Sequence, residues 1–299
     1  MSLSDATLER DFLATPQHRT VLPDGLEFHH IEAGQGQPLI LLHGVLGDWR
    51  SWEGLWPAFT RRYRTLAYSR RYNWPNRNTH PSPDHSACVE ASDLERLLEQ
   101  WHLGPVILVG SSYGAYTALA LSLRRPDLVR AMALSEPPML SWASLDAEGQ
   151  AVRDAFDRHI RLPAQEDFRQ GRDREAVERL TGGIMGASAR SELPDWVMEL
   201  RQQNMPSIRM LTLSTDEFPF LPQEAIRTLE VPTLLMAGEH TPAIHAAVFH
   251  RLCAGMPQAR HVRVPNAGHA VDRDNPRFFA EQVFSFLEEA LDPQPTHPA

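Results

Sequence analysis

The chain alternates between short runs that are apolar at every position and longer segments whose apolar residues return every three or four positions. Pro38-Leu39-Ile40-Leu41-Leu42 is one such run. It is apolar on both faces, as a strand covered on both sides of a parallel sheet must be. Further strands are predicted over 64–69, 106–110, 129–134, 231–237 and 259–264. Between them, 51–63 places Trp52, Leu55, Trp56 and Phe59 at helical spacing, and 84–101 aligns Ala91, Leu94, Leu97, Leu98 and Trp101 on one stripe. Helices are also predicted over 112–124, 243–254 and 276–291. Strand and helix in alternation predict an α/β fold with a doubly wound, mostly parallel sheet. Ahead of it, 26–31 alternates between the turns Asp24-Gly25 and Gly34-Gln35-Gly36, which predicts a hairpin over 21–36.

The rhythm breaks from 139 to 224. Helical patterns appear over 147–160, 174–180 and 194–213, and no strand is convincing. This reads as a helical lid inserted into the core, dividing it into residues 1–138 and 225–299, with 139–224 as the cap. Trp142, Phe156, Ile184, Met185, Trp196, Met205 and Met210 are apolar residues that could face a substrate or equally form the lid's own core.

Composition narrows the class. The balance of 29 basic and 38 acidic residues gives a net charge of −9, which argues against a nucleic-acid partner. No stretch is long enough to span a membrane. Cys88 and Cys253 form neither a disulfide framework nor a zinc pattern, as expected of reduced thiols in a cytoplasmic protein. Residues 1–20 carry Asp5, Glu9, Arg10 and Asp11 with no apolar core, so they read as an arm or short helix, not a secretory leader. The proline-rich stretch 292–299 is expected to be disordered. His29 and His30 point to opposite faces of a strand and cannot chelate one metal. Gly34-Gln35-Gly36 lacks a third glycine and precedes a strand, so no dinucleotide site is expected.

The chemistry centres on Gly110-Ser111-Ser112-Tyr113-Gly114, set between a β-branched run and a helix. This is the nucleophile-elbow pattern, in which a tight strand-to-helix turn lifts the middle serine, Ser112, off the end of a sheet. Glycines flank it because side chains would collide where strand and helix nearly touch. In such an elbow one oxyanion N–H comes from the residue after the nucleophile, here Tyr113, and one from the loop after an earlier strand. That loop is His43-Gly44-Val45, and Val45 is the second donor. A histidine in a small-residue loop, Gly268-His269-Ala270, is the candidate base. A carboxylate, Glu136, ends a strand and is followed by Pro137-Pro138, at the edge where open α/β sheets build their sites. In the long loop 70–84, Arg70 and Arg71 either meet an anionic or carbonyl-bearing substrate or form solvated salt bridges, and Trp74 lies beside them. Substrate contact is assigned to His43, Arg70, Trp74 and Trp142.

His43-Gly44, the elbow and Gly268-His269, in this order and with this strand–helix rhythm, resemble the α/β-hydrolase superfamily over residues 21–291. Specifically, the chain is similar to capped serine hydrolases. The resemblance implies a Ser–His–acid triad and no metal or other cofactor. Many members place the acid after the strand matching 231–237, but the turn here reads Gly238-Glu239-His240-Thr241-Pro242, with Thr241 where the aspartate would stand. Other members, including the zearalenone-lactonase type, take the acid from the preceding strand. That implies Ser112, His269 and Glu136, with Glu239 as the fallback acid and Asp272 and Asp274 as caps of the last helix. The expected activity is hydrolysis of a small-molecule carboxylic ester or lactone through an acyl-enzyme. The same scaffold also supports C–C bond hydrolases, cofactor-free dioxygenases and non-catalytic small-molecule receptors. Oligomeric state is not readable from the sequence.

Overall fold

The computed structural model describes residue 12 and residues 14–79, 83–186 and 195–291. The expectations for residues 1–11 and for the tail 292–299 lie outside the described residues. Eight strands form one sheet: β1 (Gln17–Val21), β2 (Glu27–Ala33), β3 (Pro38–Leu42), β4 (Arg64–Tyr68), β5 (Val106–Ser111), β6 (Val129–Ser135), β7 (Thr233–Gly238) and β8 (Arg260–Val264). Their spatial order is β1-β2-β4-β3-β5-β6-β7-β8. β1 pairs antiparallel with β2, and β2 antiparallel with β4, while the other pairs are parallel. The hairpin therefore begins at Gln17, earlier than the pattern suggested. Residues 17–20 are mostly exposed edge positions, and only Thr20 of the four is buried, which hides the strand from a hydropathy reading.

The uniformly apolar runs are explained by two layers of packing. Along β3, Ile40 and Leu42 join the apolar cluster on one face, while Leu39 and Leu41 join the other. β5 repeats this, with Val106 and Leu108 on one side and Ile107 and Val109 on the other. Each such side chain contributes about 1.5–3 kcal/mol of transfer free energy before ordering entropy is subtracted. This places β3, β5 and β6 at the centre of the sheet, with their C-terminal ends side by side.

Two predicted helices differ in detail. Residues 51–63 split into a single turn, Trp49–Trp52, and a short helix, Trp56–Thr60. Gly54 and Pro57 explain the break, since proline cannot continue an upstream helix. The helix predicted over 84–101 begins at Ala87, where the Ser86 hydroxyl accepts from Val89 N at 3.4 Å. The closing helix runs from Pro276 to Leu291. Its start is capped by Asn275, whose Oδ1 accepts from Phe278 N at 3.3 Å. Asp272 and Asp274 do not cap it; they accept from Ser111 Oγ and Gly268 N instead.

From Leu140 to Arg227 the described residues form helices and no strand. The last of these, Gln223–Arg227, runs across the expected boundary at 224. Ala164, Phe168, Ala176, Val177, Leu180 and Ile208 make a separate apolar cluster within this segment. Among the described residues, no helix is long and apolar enough to cross a membrane.

Candidate active site

β5 ends in a backbone conformation that few side chains adopt. Ser112 has φ 51° and ψ −114°, and the helix Tyr113–Arg124 begins immediately after it. Such a conformation costs about 1–3 kcal/mol and persists only where the surroundings enforce it. The enforcement is visible. Ser112 N donates to Ser135 O at 2.8 Å. A Cβ at Gly114 would lie 2.1 Å from Leu42 O, and one at Gly110 would lie 2.7 Å from Ala115 Cα.

Glu136 also carries a positive φ, 45°, directly after β6, and its N–H donates to Met236 O at 3.0 Å. Its Oε1 accepts from Gly238 N at 2.8 Å, and its Oε2 accepts from Thr241 Oγ1 at 2.7 Å. The same Oε2 lies 2.5 Å from His269 Nδ1, and His269 Nε2 lies 3.0 Å from Ser112 Oγ. Ser112, Glu136 and His269 are all buried. With the acid on Nδ1, the imidazole carries its proton there, leaving Nε2 to accept from the serine hydroxyl. Glu239, the fallback acid, is turned away, and its Oε2 accepts from Asn266 N at 3.0 Å.

A second histidine, which no motif singled out, completes the wall. His245, on the helix Ala243–Gly255, stacks on His269 with ring centroids 3.8 Å apart and planes 21° apart. Its Nε2 donates to Ile184 O at 3.1 Å, and burial holds its pKa well below the usual histidine range. It is therefore neutral at neutral pH. Ligand atoms of Glu136, His245 and His269 lie within 4.8 Å of one another. They do not fit a metal ion, because the lone pairs of nearly parallel stacked rings point along parallel planes and cannot converge.

The loop after β3 approaches the nucleophile closely: a Cβ on Gly44 would sit 3.6 Å from Ser112 Cβ. Val45 and Tyr113 both border a small cavity of about 50 Å³ beside Ser112. Tyr113 opens a helix whose first-turn N–H groups have no partner within the helix. A larger cavity of about 450 Å³ also borders the nucleophile and includes Ser112, His269, Val45 and Ile184 in its wall. Of the seven apolar residues named for the inserted segment, Ile184, Met185 and Trp196 line the larger cavity, and Phe156 and Ile184 the smaller one.

The expected substrate contacts are placed differently. Arg70 is completely buried behind the site: Nη1 lies 3.4 Å from Glu90 Oε1, Nη2 donates to Gly44 O at 3.2 Å, and the guanidinium sits 4.2 Å over the Tyr113 ring. His43 borders the larger cavity, but Nδ1 donates to Gly44 O and Nε2 accepts from Arg70 N, so both ring nitrogens serve the loop. Trp74 stacks against Trp49, with the Arg50 guanidinium 3.7 Å from its ring centroid. Trp142 is buried and donates from Nε1 to Leu221 O at 3.0 Å. Arg70, Trp74 and Trp142 thus sit in protein packing and not in the cavity walls. Arg71 forms a two-bond pair with Asp93, at 2.7 and 2.5 Å.

Comparison with known proteins identifies the family. The chain is 29% identical over 254 residues to the mouse (Mus musculus) sn-1-specific diacylglycerol lipase ABHD11, covering 83% of this chain and 80% of the relative. It is 23% identical over 270 residues to 2-(acetamidomethylene)succinate hydrolase of Mesorhizobium japonicum, covering 86% and 90%. Among solved structures, the carboxylesterase CesB of Bacillus subtilis superposes with a TM-score of 0.72 at 20% identity, covering 95% of this chain and 97% of that one. Residues 37–272 match the family described as alpha/beta hydrolase fold, and the chain belongs to that family.

Proposed function

We propose that this protein is a serine hydrolase that cleaves a carboxylic ester or lactone through an acyl-enzyme on Ser112. The observation that carries the reading is the continuous relay from Ser112 Oγ through His269 to Glu136, at 3.0 and 2.5 Å. His269 Nε2 takes the serine proton as Oγ attacks the carbonyl carbon, and Glu136 holds the imidazole tautomer and stabilises the imidazolium. The oxyanion lies against the N–H groups of Val45 and Tyr113, each worth roughly 3 kcal/mol. His269 then protonates the leaving oxygen, and water, deprotonated by the same nitrogen, releases the acid. The named esterase and lipase relatives support ester chemistry. On this reading the helical segment 139–224 is the lid, because it contributes Ile184, Met185 and Trp196 to the cavity wall. The protein acts on a small molecule and needs no cofactor.

The test is pre-steady-state hydrolysis of p-nitrophenyl butyrate. A burst of one nitrophenolate per active site, absent in Ser112→Ala, is expected. Oxygen uptake on a heteroaromatic substrate that survives Ser112→Ala and is lost in His269→Ala would point to a cofactor-free dioxygenase instead. Binding without turnover across an ester and lactone panel would point to a receptor.

A further inference from the structure

The larger cavity holds a buried cation with no acidic partner among the described residues. Arg201, on the helix Asp195–Gln203, is 2% exposed and lines the cavity with Ser112 and His269. Its Nη1 donates to Thr181 Oγ1 at 2.8 Å and lies 4.0 Å from Met198 Sδ. Arg50, in the same wall, is different: Asp48 grips it through Nε at 2.8 Å and Nη2 at 2.6 Å. Arg273 also lines the cavity, with Nε 3.9 Å from Asp274 Oδ1. The acidic groups of this wall are Glu53 and Asp272, and Asp272 accepts from Ser111 Oγ at 2.9 Å.

Charge in a desolvated site is costly unless an opposite charge meets it. Burial, with Arg273 nearby, brings the Arg201 pKa down to about 10, so the guanidinium is still protonated at neutral pH. The wall also carries the apolar side chains Ile184, Met185, Val197 and Leu200. A planar fork of donors in a cavity wall that also carries apolar side chains suits a carboxylate on a short carbon chain.

We infer that Arg201 anchors a free carboxylate of the substrate, so that the ester or lactone cleaved at Ser112 carries a negative charge on the group filling the larger cavity. The position of the scissile bond rests on the acyl-enzyme reading above, whereas the anion site itself does not.

The test is calorimetric titration of Ser112→Ala protein with monomethyl glutarate and with neutral dimethyl glutarate. The monoanion should bind roughly ten- to hundredfold more tightly, the range of a hydrogen bond to a charged group. Adding Arg201→Gln should remove most of that preference, and Arg201→Lys, which keeps the charge, should retain part of it. Equal affinity for the two ligands, or a preference that survives Arg201→Gln, would overturn the inference. The first comparison needs no change at Arg201, so it stands even where Arg201→Gln fails to fold. Because binding is read without turnover, a failure of Ser112 as nucleophile would leave this result intact and be told apart from it.

Discussion

Thr241 Oγ1 donates to Glu136 Oε2 at 2.7 Å, on the same carboxylate oxygen that faces His269 Nδ1 at 2.5 Å. Thr241 thus holds the carboxylate that the proposed mechanism uses as the triad acid. With Gly238 N on Oε1, the carboxylate is fixed from both β6 and the turn after β7. Thr241→Val should lower kcat about fivefold with little change in KM, since one orienting hydrogen bond of roughly 1 kcal/mol is lost. Glu136→Gln should cost roughly 10³- to 10⁴-fold, because the amide cannot fix the tautomer or stabilise the imidazolium. Steady-state kinetics on p-nitrophenyl butyrate check both. Full turnover in Glu136→Gln, with loss in Glu239→Gln, would move the acid to Glu239.

Arg70 touches both segments that would supply the oxyanion hole in the proposed mechanism, through Gly44 O and through the Tyr113 ring. We propose that it acts by positioning these two segments, since its side chain is completely buried. Arg70→Lys keeps a charge opposite Glu90 but loses the planar fork that reaches both limbs. The expected result is a fall in kcat of roughly ten- to hundredfold at nearly constant KM, below the full effect of deleting one oxyanion donor. A rise in KM alone would return Arg70 to substrate binding.

Gly114→Ala should destabilise the protein and abolish activity, because its Cβ would lie 2.1 Å from Leu42 O at the elbow. Overpacking of this kind costs about 1–3 kcal/mol. Gly104→Ala, with nothing within 4 Å of its Cβ, is the control and should melt near the wild-type temperature. Equal melting temperatures and activities for the two variants would contradict the packing of strand on helix described above.

His30 sets a stability trend with pH. Burial, with His18 nearby, lowers its pKa from 6.5 to about 4, and its ring packs on Trp101 at 4.8 Å. Between pH 6.5 and 4 the unfolded chain binds the proton and the folded chain does not. Stability therefore falls as pH drops through this window, by about 3 kcal/mol at most. His30→Phe should flatten the dependence of melting temperature on pH over that range. An unchanged slope would show that other groups govern it.

The sheet was legible because strands covered on both faces must be apolar at every position, as 38–42 and 106–109 are. The elbow was legible because strand, turn and helix constrain five consecutive residues. Glu136 could be named from its place at a strand end and from the threonine at 241, although nothing in the sequence says that Thr241 donates to it. His245 was invisible, since its stacking on His269 depends on how the helix Ala243–Gly255 lies across the sheet edge. Arg201 was hidden for the same reason: one charge on the helix Asp195–Gln203 reads as a solvated face until the cavity is seen. Arg70 could be placed near the site but not behind it, because sequence does not tell which side of the loop after β3 an arginine occupies.

The most direct test of the central claim is mass spectrometry of the protein after reaction with a fluorophosphonate, which traps an activated serine. One adduct per chain, on the peptide bearing Ser112, is expected, with none in Ser112→Ala and much slower labelling in His269→Ala. Labelling that persists in Ser112→Ala, or a wild-type protein that remains unlabelled while still turning over p-nitrophenyl butyrate, would contradict it.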